Sequence, residues 1–545
     1  MHEQVNPETI KDLASARLTI QMLLNLVEEV SSANEALRQE VQALRDEVNR
    51  AQRAPEGEQG KPNIKPSAKA EPAHSSEKER RVPKAWQKGE KRAKLVIHRE
   101  EKLRVDKSQL PADAEFKGYE EVVVQDIRIT PNNTCFIKEK YYSPSAEKSY
   151  LAPMPPGYEG EFGPGVRALI ITLYHGSGMI EPKIGELLGH FELSISAGQI
   201  SNLLIKELEP WHAEKQAVRD AGLSSTPWQH SDDTGTRVNG VNYHCHILCN
   251  PYYTAYFTRP NKNRLTIIHL LQGTEQLQLR LNGLTQVWFD AFNTPLWARQ
   301  AMAQWPQALL LTPEALAALV QRDLSRLNDQ QRARIWEAAA LTAYYTQPGM
   351  PQIDILLTDD APQFAHITPC HALCWVHEGR HYKKLLPVVP YHRQLLDTFL
   401  DDFWLFYHPL LAYRQQPQRL AAERLRTRFD QLFSTITGYH ALDQRIAASK
   451  AKAANLLLVL DFPELPLHNN PAELGARQRV RKRTISLGPS TQEGLEAWDT
   501  FMTLAETAKK LGVNFFAYVF DRVSRSYSLP SLAHLILQRV ALHPT

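Results

Sequence analysis

PQIDILLTDDAPQF, residues 351–364, joins a short apolar run to an acidic pair. Ile353 to Leu357 read as a buried strand, which delivers Asp359 and Asp360 at its carboxyl end. In an open α/β sheet, ligands bind outside the carboxyl ends of the strands, so this stretch predicts both a fold class and a place for chemistry. Upstream, WQHSDDTGTRVNGVNYHCHILCNPYYTAYFT (228–258) predicts three adjacent strands, the first two joined by an Asn239-Gly240 turn. The first strand carries a second acidic pair, Asp232 and Asp233. Either pair alone has a plain explanation, since aspartate often caps the helix that follows a strand.

A third acid changes the weighing. LHNNPAELGARQRVRKRTISLG (467–488) opens on Asn469-Asn470-Pro471, a helix start with proline in its first turn, and places Glu473 inside that helix. Arg477 and Arg481 follow at four and eight residues and share its face. Three carboxylates suit hard divalent cations, and two such ions can serve both the attacking and the leaving oxygen of a phosphoryl displacement. A basic helix face beside the last carboxylate would hold a DNA backbone without reading its sequence. The alternative for the basic run is a solvated face.

The rest of the chain sets the context. At 545 residues, with 43% hydrophobic and 23% charged residues, it is too long for one core and ordinary in composition. A formal charge of +3 leaves any nucleic-acid affinity to local patches. No apolar run is long enough to span a bilayer, and the start lacks the layout of a secretory signal, so a cytoplasmic protein without membrane contact is expected. Five cysteines, an odd number, argue for reduced thiols.

Near the start, Leu23, Val30, Leu37 and Leu44 recur every seven residues, with Val27, Asn34, Val41 and Val48 at the alternate seam positions. That heptad predicts a two-stranded coil through residues 20–50; the alternative is an amphipathic helix packed on the chain's own body. From Ala54 to about Ile97 the composition is that of a linker, with a basic run from Lys78 to Lys94. EEVVVQDIRI (120–129) and NTCFIKEKYYS (133–143) predict a small β module, with a turn at Thr130-Pro131-Asn132-Asn133. EPKIGELLGHF (181–191) and SAGQISNLLIKEL (196–208) form a candidate helix-turn-helix, with Ser194 or Ser196 as N-cap.

Three blocks resemble the insertion-sequence-66 family of DDE transposases. Asp232-Asp233-Thr234-Gly235 is similar to the family's first aspartate motif, with Asp233 where a glutamate is usual; that alignment alone selects Asp232 over Asp233. Thr358-Asp359-Asp360-Ala361-Pro362-Gln363-Phe364 is similar to the second, with Asp359 in the catalytic position and Asp360 as alternate. Cys374, His377 and Arg380 resemble the Cys-x-x-His-x-x-Arg signature that follows it. Asn469-Asn470-Pro471-Ala472-Glu473 and the arginines after it match the third block.

The resemblance implies an RNase H-like catalytic core and a catalytic triad of Asp232, Asp359 and Glu473. The triad would hold two Mg²⁺ ions, replaceable by Mn²⁺. Arg380, Arg477, Arg479, Arg481, Lys482 and Arg483 would contact DNA, and Cys374 and His377 would be structural; zinc is not expected, although Cys370 and His371 complete a ligand set on paper. More than a hundred residues separate successive members of the triad, which requires helical insertions in the sheet.

The expected organisation is a multidomain α/β protein. It comprises a coiled coil (1–50), a basic linker (51–98), a β-rich module (99–160) and a helix-turn-helix-like domain (161–222). The core follows in three pieces (223–283, 347–390 and 461–545), interrupted by helical insertions at 284–346 and 391–460. Partners implied are the terminal inverted repeats and target DNA, a second copy of the chain, and small accessory proteins of the element, in a nucleoid-associated setting. Two rival functions share the fold: a catalytically silent DNA-binding or assembly protein, and a nuclease that cuts without joining. Many relatives carry a cysteine-rich zinc segment upstream, whereas this chain has only Cys135 there.

Overall fold

The computed structural model describes residues 12–53, 95–106, 109–111, 114–307 and 309–542. The expected basic linker, with its run from Lys78 to Lys94, lies almost wholly outside the described residues. The strands run in chain order as β1 (Lys140–Ser143), β2 (Lys148–Leu151), β3 (Trp228–Val238), β4 (Val241–Cys249), β5 (Thr254–Arg259), β6 (Leu279–Arg280), β7 (Leu310–Leu311), β8 (Ile355–Thr358) and β9 (Cys370–Leu373). Five of them form the central sheet in the order β5-β4-β3-β8-β9.

The three strands after Pro227 form an antiparallel meander. Its first turn is the two-residue loop Asn239-Gly240, closed by the pair Val238 and Val241. Both loop residues have positive φ, 46° and 78°, the backbone that Asn-Gly tolerates and that matches the twist of a hairpin. Strand β8 then returns parallel to β3, and β9 parallel to β8, so the sheet is mixed.

The helices used below are α1 (Leu13–Arg53), α2 (Glu181–His190), α3 (Ala197–Ile205), α4 (Glu209–Leu223), α5 (Arg264–Gln272), α6 (Asp329–Thr346), α7 (Trp375–Lys383), α8 (Pro390–Gln415), α9 (Arg419–Leu432), α10 (His440–Lys450), α11 (Asn470–Ser486) and α12 (Gln492–Lys510). Alternation along the strands sends Leu248, Ala255, Phe257 and Leu356 to one face, into a large core with α4, α5 and α6. Ile247 and Tyr256 go to the other face and pack against Ala472 and Ala476 of α11.

Edge strand β5 is covered by helix α12 rather than left open. The amides of Thr254, Tyr256 and Thr258 donate to the side chains of Thr507 (3.2 Å), Thr503 (3.0 Å) and Asp499 (2.6 Å). Every second strand residue thus meets every fourth helix residue. The spacing works because two strand residues and one helical turn advance by similar distances, and it satisfies donors that would otherwise template aggregation.

The two expected insertions differ in independence. Residues 391–460 form α8, α9, α10 and shorter turns around their own aromatic core of Phe399, Phe403, Phe406, Tyr407, Phe429 and Phe433, with Trp375 at its centre. The stretch 284–346 is helical as expected, yet Trp288, Phe289, Ile335 and Leu341 join the large core beneath the sheet, so it is no separate unit.

Two further expectations need correction. In the stretch 99–160 the hairpin β1–β2 forms, but EEVVVQDIRI has no ladder partner and its Val122, Val124 and Ile127 are 76–80% exposed. β-propensity without a neighbouring strand or a covering face does not make a sheet. The heptad segment is one continuous helix, and its opposite sides do different things. Asn25 bridges the Gly438 carbonyl (2.9 Å) and the His440 amide (3.0 Å), and the Glu28 carboxylate accepts from the Val388 and Val389 amides at the start of α8 and from His392. The seam residues Leu23, Val27, Val30, Leu37, Val41 and Leu44 remain 42–59% exposed. Packing on the chain's own body therefore holds for one side of the helix, and the seam stays open. The helix-turn-helix pattern appears as α2 and α3, with Ser196 as N-cap accepting from Gln199 N at 3.2 Å.

Candidate active site

Strands β3 and β8 pair with Trp228 opposite Ile355 and His230 opposite Leu357. Two residues beyond the last pair lie Asp232 and Asp359, level with each other at the carboxyl end of β8. Alternation gives Asp232 the face of Trp228 and His230, the one that helix α11 covers; its antiparallel partner Ile247 packs there against Ala472 and Ala476. Asp233 turns the other way, beside His246, and its carboxylate accepts from Gln363 Nε2 at 3.0 Å. Asp360 is ion-paired to Lys452 of the helical insertion. The pleat thus separates each acidic pair, one member facing α11 and the other engaged elsewhere.

Glu473 stands on the first turn of α11, where a carboxylate favours the positive end of the helix dipole. Gly475, two residues on, lets the helix lie close to the sheet. A Cβ there would sit 3.0 Å from Ile247 Cγ2, and Tyr256 Oη donates to the Gly475 carbonyl at 3.2 Å. Glu473 Oε2 accepts from Arg380 Nη2 at 3.1 Å, while Oε1 is buried without a hydrogen-bond partner, 3.6 Å from His377 Nδ1. Helix α7 supplies both partners and meets the lead-in to α11 through Trp375 N to Leu467 O (2.9 Å) and Asn469 N to Cys374 Sγ (3.2 Å).

The electrostatics of the cluster favour a cation. Burial, reinforced by the charges of Asp359, Glu473 and Asp233, pushes the Asp232 carboxyl up to about 7, against the Asp233 amide that donates to it. Like charges gathered in a part-buried site resist ionisation unless something positive joins them. Together with the unpartnered Glu473 Oε1, this donor set fits divalent cations of the oxygen-preferring kind. Among the described residues, the metal-ligand type side chains whose donor atoms all lie within 4.8 Å are Cys374, His377 and Glu473. The three carboxylates as a set are wider than that, as a two-ion centre allows: ions about 4 Å apart with about 2 Å bonds accept donors separated by up to roughly 8 Å. Burial pushes the Cys374 thiol up to about 12 and holds His377 below its usual value, so both are neutral near pH 7. Cys370 and His371 do not join them; His371 Nε2 instead meets Thr358 Oγ1 at 2.8 Å.

The basic run divides by helix face. Arg477 and Arg481 are exposed, one and two turns beyond Glu473. Arg483 is partly buried and donates to the Gly235 carbonyl, and Arg380 is 35% exposed beside Glu473. Two expected DNA contacts are corrected. Arg479 is fully buried, 3.2 Å from Asp499, donating to Thr258 Oγ1 at 2.9 Å with its guanidinium over Trp498. Lys482 is buried too, donating to the Tyr174 carbonyl at 2.7 Å between the rings of Tyr174 and Trp498. Both continue the stripe of Ala472 and Ala476 that packs inward, so neither faces solvent. The residues not singled out from sequence are His230, Lys452 and Asp499, each of which meets its partner on another element: His230 meets Asn469, Lys452 meets Asp360 and Asp499 meets Arg479.

The fold and the site define an α/β protein with a carboxylate cluster where β8 ends beside its parallel neighbour β3, faced by a helix with an exposed basic side. The family model described as Transposase IS66 family matches residues 354–497, which contain Asp359, Cys374, His377, Arg380 and Glu473. An uncharacterised protein of Sinorhizobium fredii, y4jO, is 32% identical over 304 residues, covering 56% of this chain and 94% of the relative. The chain belongs to the IS66 family of transposases, enzymes that cut and transfer DNA. No helix among the described residues is long and apolar enough to cross a membrane.

Proposed function

We propose that this transposase binds the terminal inverted repeats of its element and cuts and joins DNA with Asp232, Asp359 and Glu473 as catalytic carboxylates on an RNase H-like core. The observation that carries the reading is the level placement of Asp232 within β3 and Asp359 at the carboxyl end of β8, on the face that α11 covers with Glu473. The three carboxylates would hold two Mg²⁺ ions, or Mn²⁺, which supply Lewis-acid activation of the attacking oxygen and neutralise the leaving one. Water attacks first, and the freed DNA 3′-hydroxyl attacks target DNA second. Arg477 and Arg481 hold backbone phosphates along the helix that carries Glu473, giving affinity without base reading. Arg380 orients Glu473 through their ion pair, and Cys374 and His377 support the junction of α7 with α11. The open seam of α1 pairs with a second copy of the chain, as synapsis of two DNA ends requires.

The test is a strand-transfer assay on labelled ends of the element with Mg²⁺. Wild type yields joined product; Asp359→Asn and Glu473→Gln yield neither cut nor joined DNA. Cut ends without joined product from the wild type would identify a nuclease instead, and full activity of either variant would overturn the assignment.

A further inference from the structure

Asn469 is fully buried at the N-cap of α11, yet its side chain does not cap that helix. It reaches across to β3. Its Oδ1 lies 2.9 Å from His230 Nδ1, and its Nδ2 donates to the Ser231 carbonyl at 2.8 Å. Its own amide donates to Cys374 Sγ at 3.2 Å. One residue thereby ties three pieces of chain: the strand one step before Asp232, the start of α7 with His377 and Arg380, and the helix whose first turn carries Glu473. A helix end of this kind would ordinarily use a short polar side chain on its own free amides, so committing it to the strand sets the helix's register against the sheet.

We infer that Asn469 is a positioning residue for the metal centre, fixing the distance between the Asp232 and Glu473 carboxylates; this rests on the reading of those two acids given above. The clip acts through geometry only. The Asn469 side chain can meet His230 Nδ1 and the Ser231 carbonyl together only at this separation of helix and strand. Groups that orient metal ligands typically set metal affinity or activity by 10- to 100-fold when removed.

The experiment uses the full chain, with Mn²⁺ as probe. Free Mn²⁺ is followed by electron paramagnetic resonance during titration, and nicking of supercoiled plasmid is measured over the same concentrations. Asn469→Ala is expected to raise the half-saturating Mn²⁺ concentration about tenfold or more in both readings, with the nicking rate recovering at high Mn²⁺. Tyr413→Phe, which removes a buried hydrogen bond to Leu460 inside the helical insertion, should lower thermal stability and leave the half-saturation unchanged. If alanine prevents folding, Asn469→Asp decides by the same readings, since it can still accept from His230 but loses the donor to Ser231. A folded Asn469 variant with the wild-type half-saturation overturns the inference. Glu473→Gln separates the two levels: if it binds Mn²⁺ and nicks as wild type does, the reading of the acids fails, whereas its loss beside an unaffected Asn469 variant sinks the positioning role alone.

Discussion

Replacing Asp232 with asparagine should stabilise the metal-free protein at alkaline pH. The carboxyl titrates near 3.8 in an unfolded chain and near 7 in the folded one, where burial and three neighbouring acids oppose its charge. Below about pH 4 both states hold the proton and the residue is neutral toward folding. Between pH 4 and 7 the folded state retains a proton that the unfolded state has released, so stability falls as pH rises; above 7 the full cost persists. Each pH unit is worth about 1.4 kcal/mol, which bounds the cost at roughly 4 kcal/mol, and access of solvent to one side of the carboxylate lowers it to about 1–2 kcal/mol. Asparagine keeps the shape and removes the charge. In thermal unfolding with chelator, Asp232→Asn should therefore melt a few degrees above wild type at pH 8 and show less than half that advantage at pH 5. Adding 10 mM Mg²⁺, about the concentration such assays use, should raise the wild-type midpoint at pH 8 and leave the variant's nearly unmoved, because a cation that binds only the folded state stabilises by mass action. A variant that melts below wild type at pH 8, with no trend in pH, would refute this account of the cluster.

Other perturbations separate the roles of neighbouring residues. Arg479→Ala strands Asp499 in the core and should cost about 3–5 kcal/mol in denaturant unfolding. By contrast, Arg477→Ala and Arg481→Ala should leave the melting midpoint unchanged, weaken DNA binding similarly for all sequences, and each reduce the salt dependence by about one ion in fluorescence anisotropy. Gly475→Ala pushes a methyl group to 3.0 Å from Ile247 Cγ2, and a loss of about 1–3 kcal/mol is expected in denaturant unfolding. Leu37→Glu places a charge in the exposed seam of α1 without touching Glu28, and sedimentation should show a smaller assembly; an unchanged mass would show that the seam is not the contact.

The parts legible in the sequence were those carried by short-range pattern. The run from Ile353 to Leu357, the Asn239-Gly240 turn and the proline-started helix at Asn469 mark β8, the turn of the β3–β4 hairpin and the start of α11 to within two residues, because strand alternation and turn chemistry act over a few positions. The choice between Asp232 and Asp233 was not legible, since it depends on which face of β3 receives α11, and that helix arrives more than two hundred residues later. The resemblance likewise implied DNA contacts for Arg479 and Lys482, whereas the partners that bury them, Asp499, Trp498 and Tyr174, lie on other elements. The segment 120–129 had a strand's composition and lacked the neighbour that makes one. The seam of α1 was visible as a heptad, but its docking through Asn25 and Glu28 uses polar side chains whose partners begin at Val388.

The most direct test of the central claim is anomalous diffraction from crystals of the protein with a DNA end and Mn²⁺. Two peaks about 4 Å apart are expected, ligated by Asp232, Asp359 and Glu473, with Asp233 still on Gln363 and Asp360 still on Lys452. Peaks ligated by Asp233 or Asp360, or Mn²⁺ bound with Glu473 outside its coordination, would contradict it.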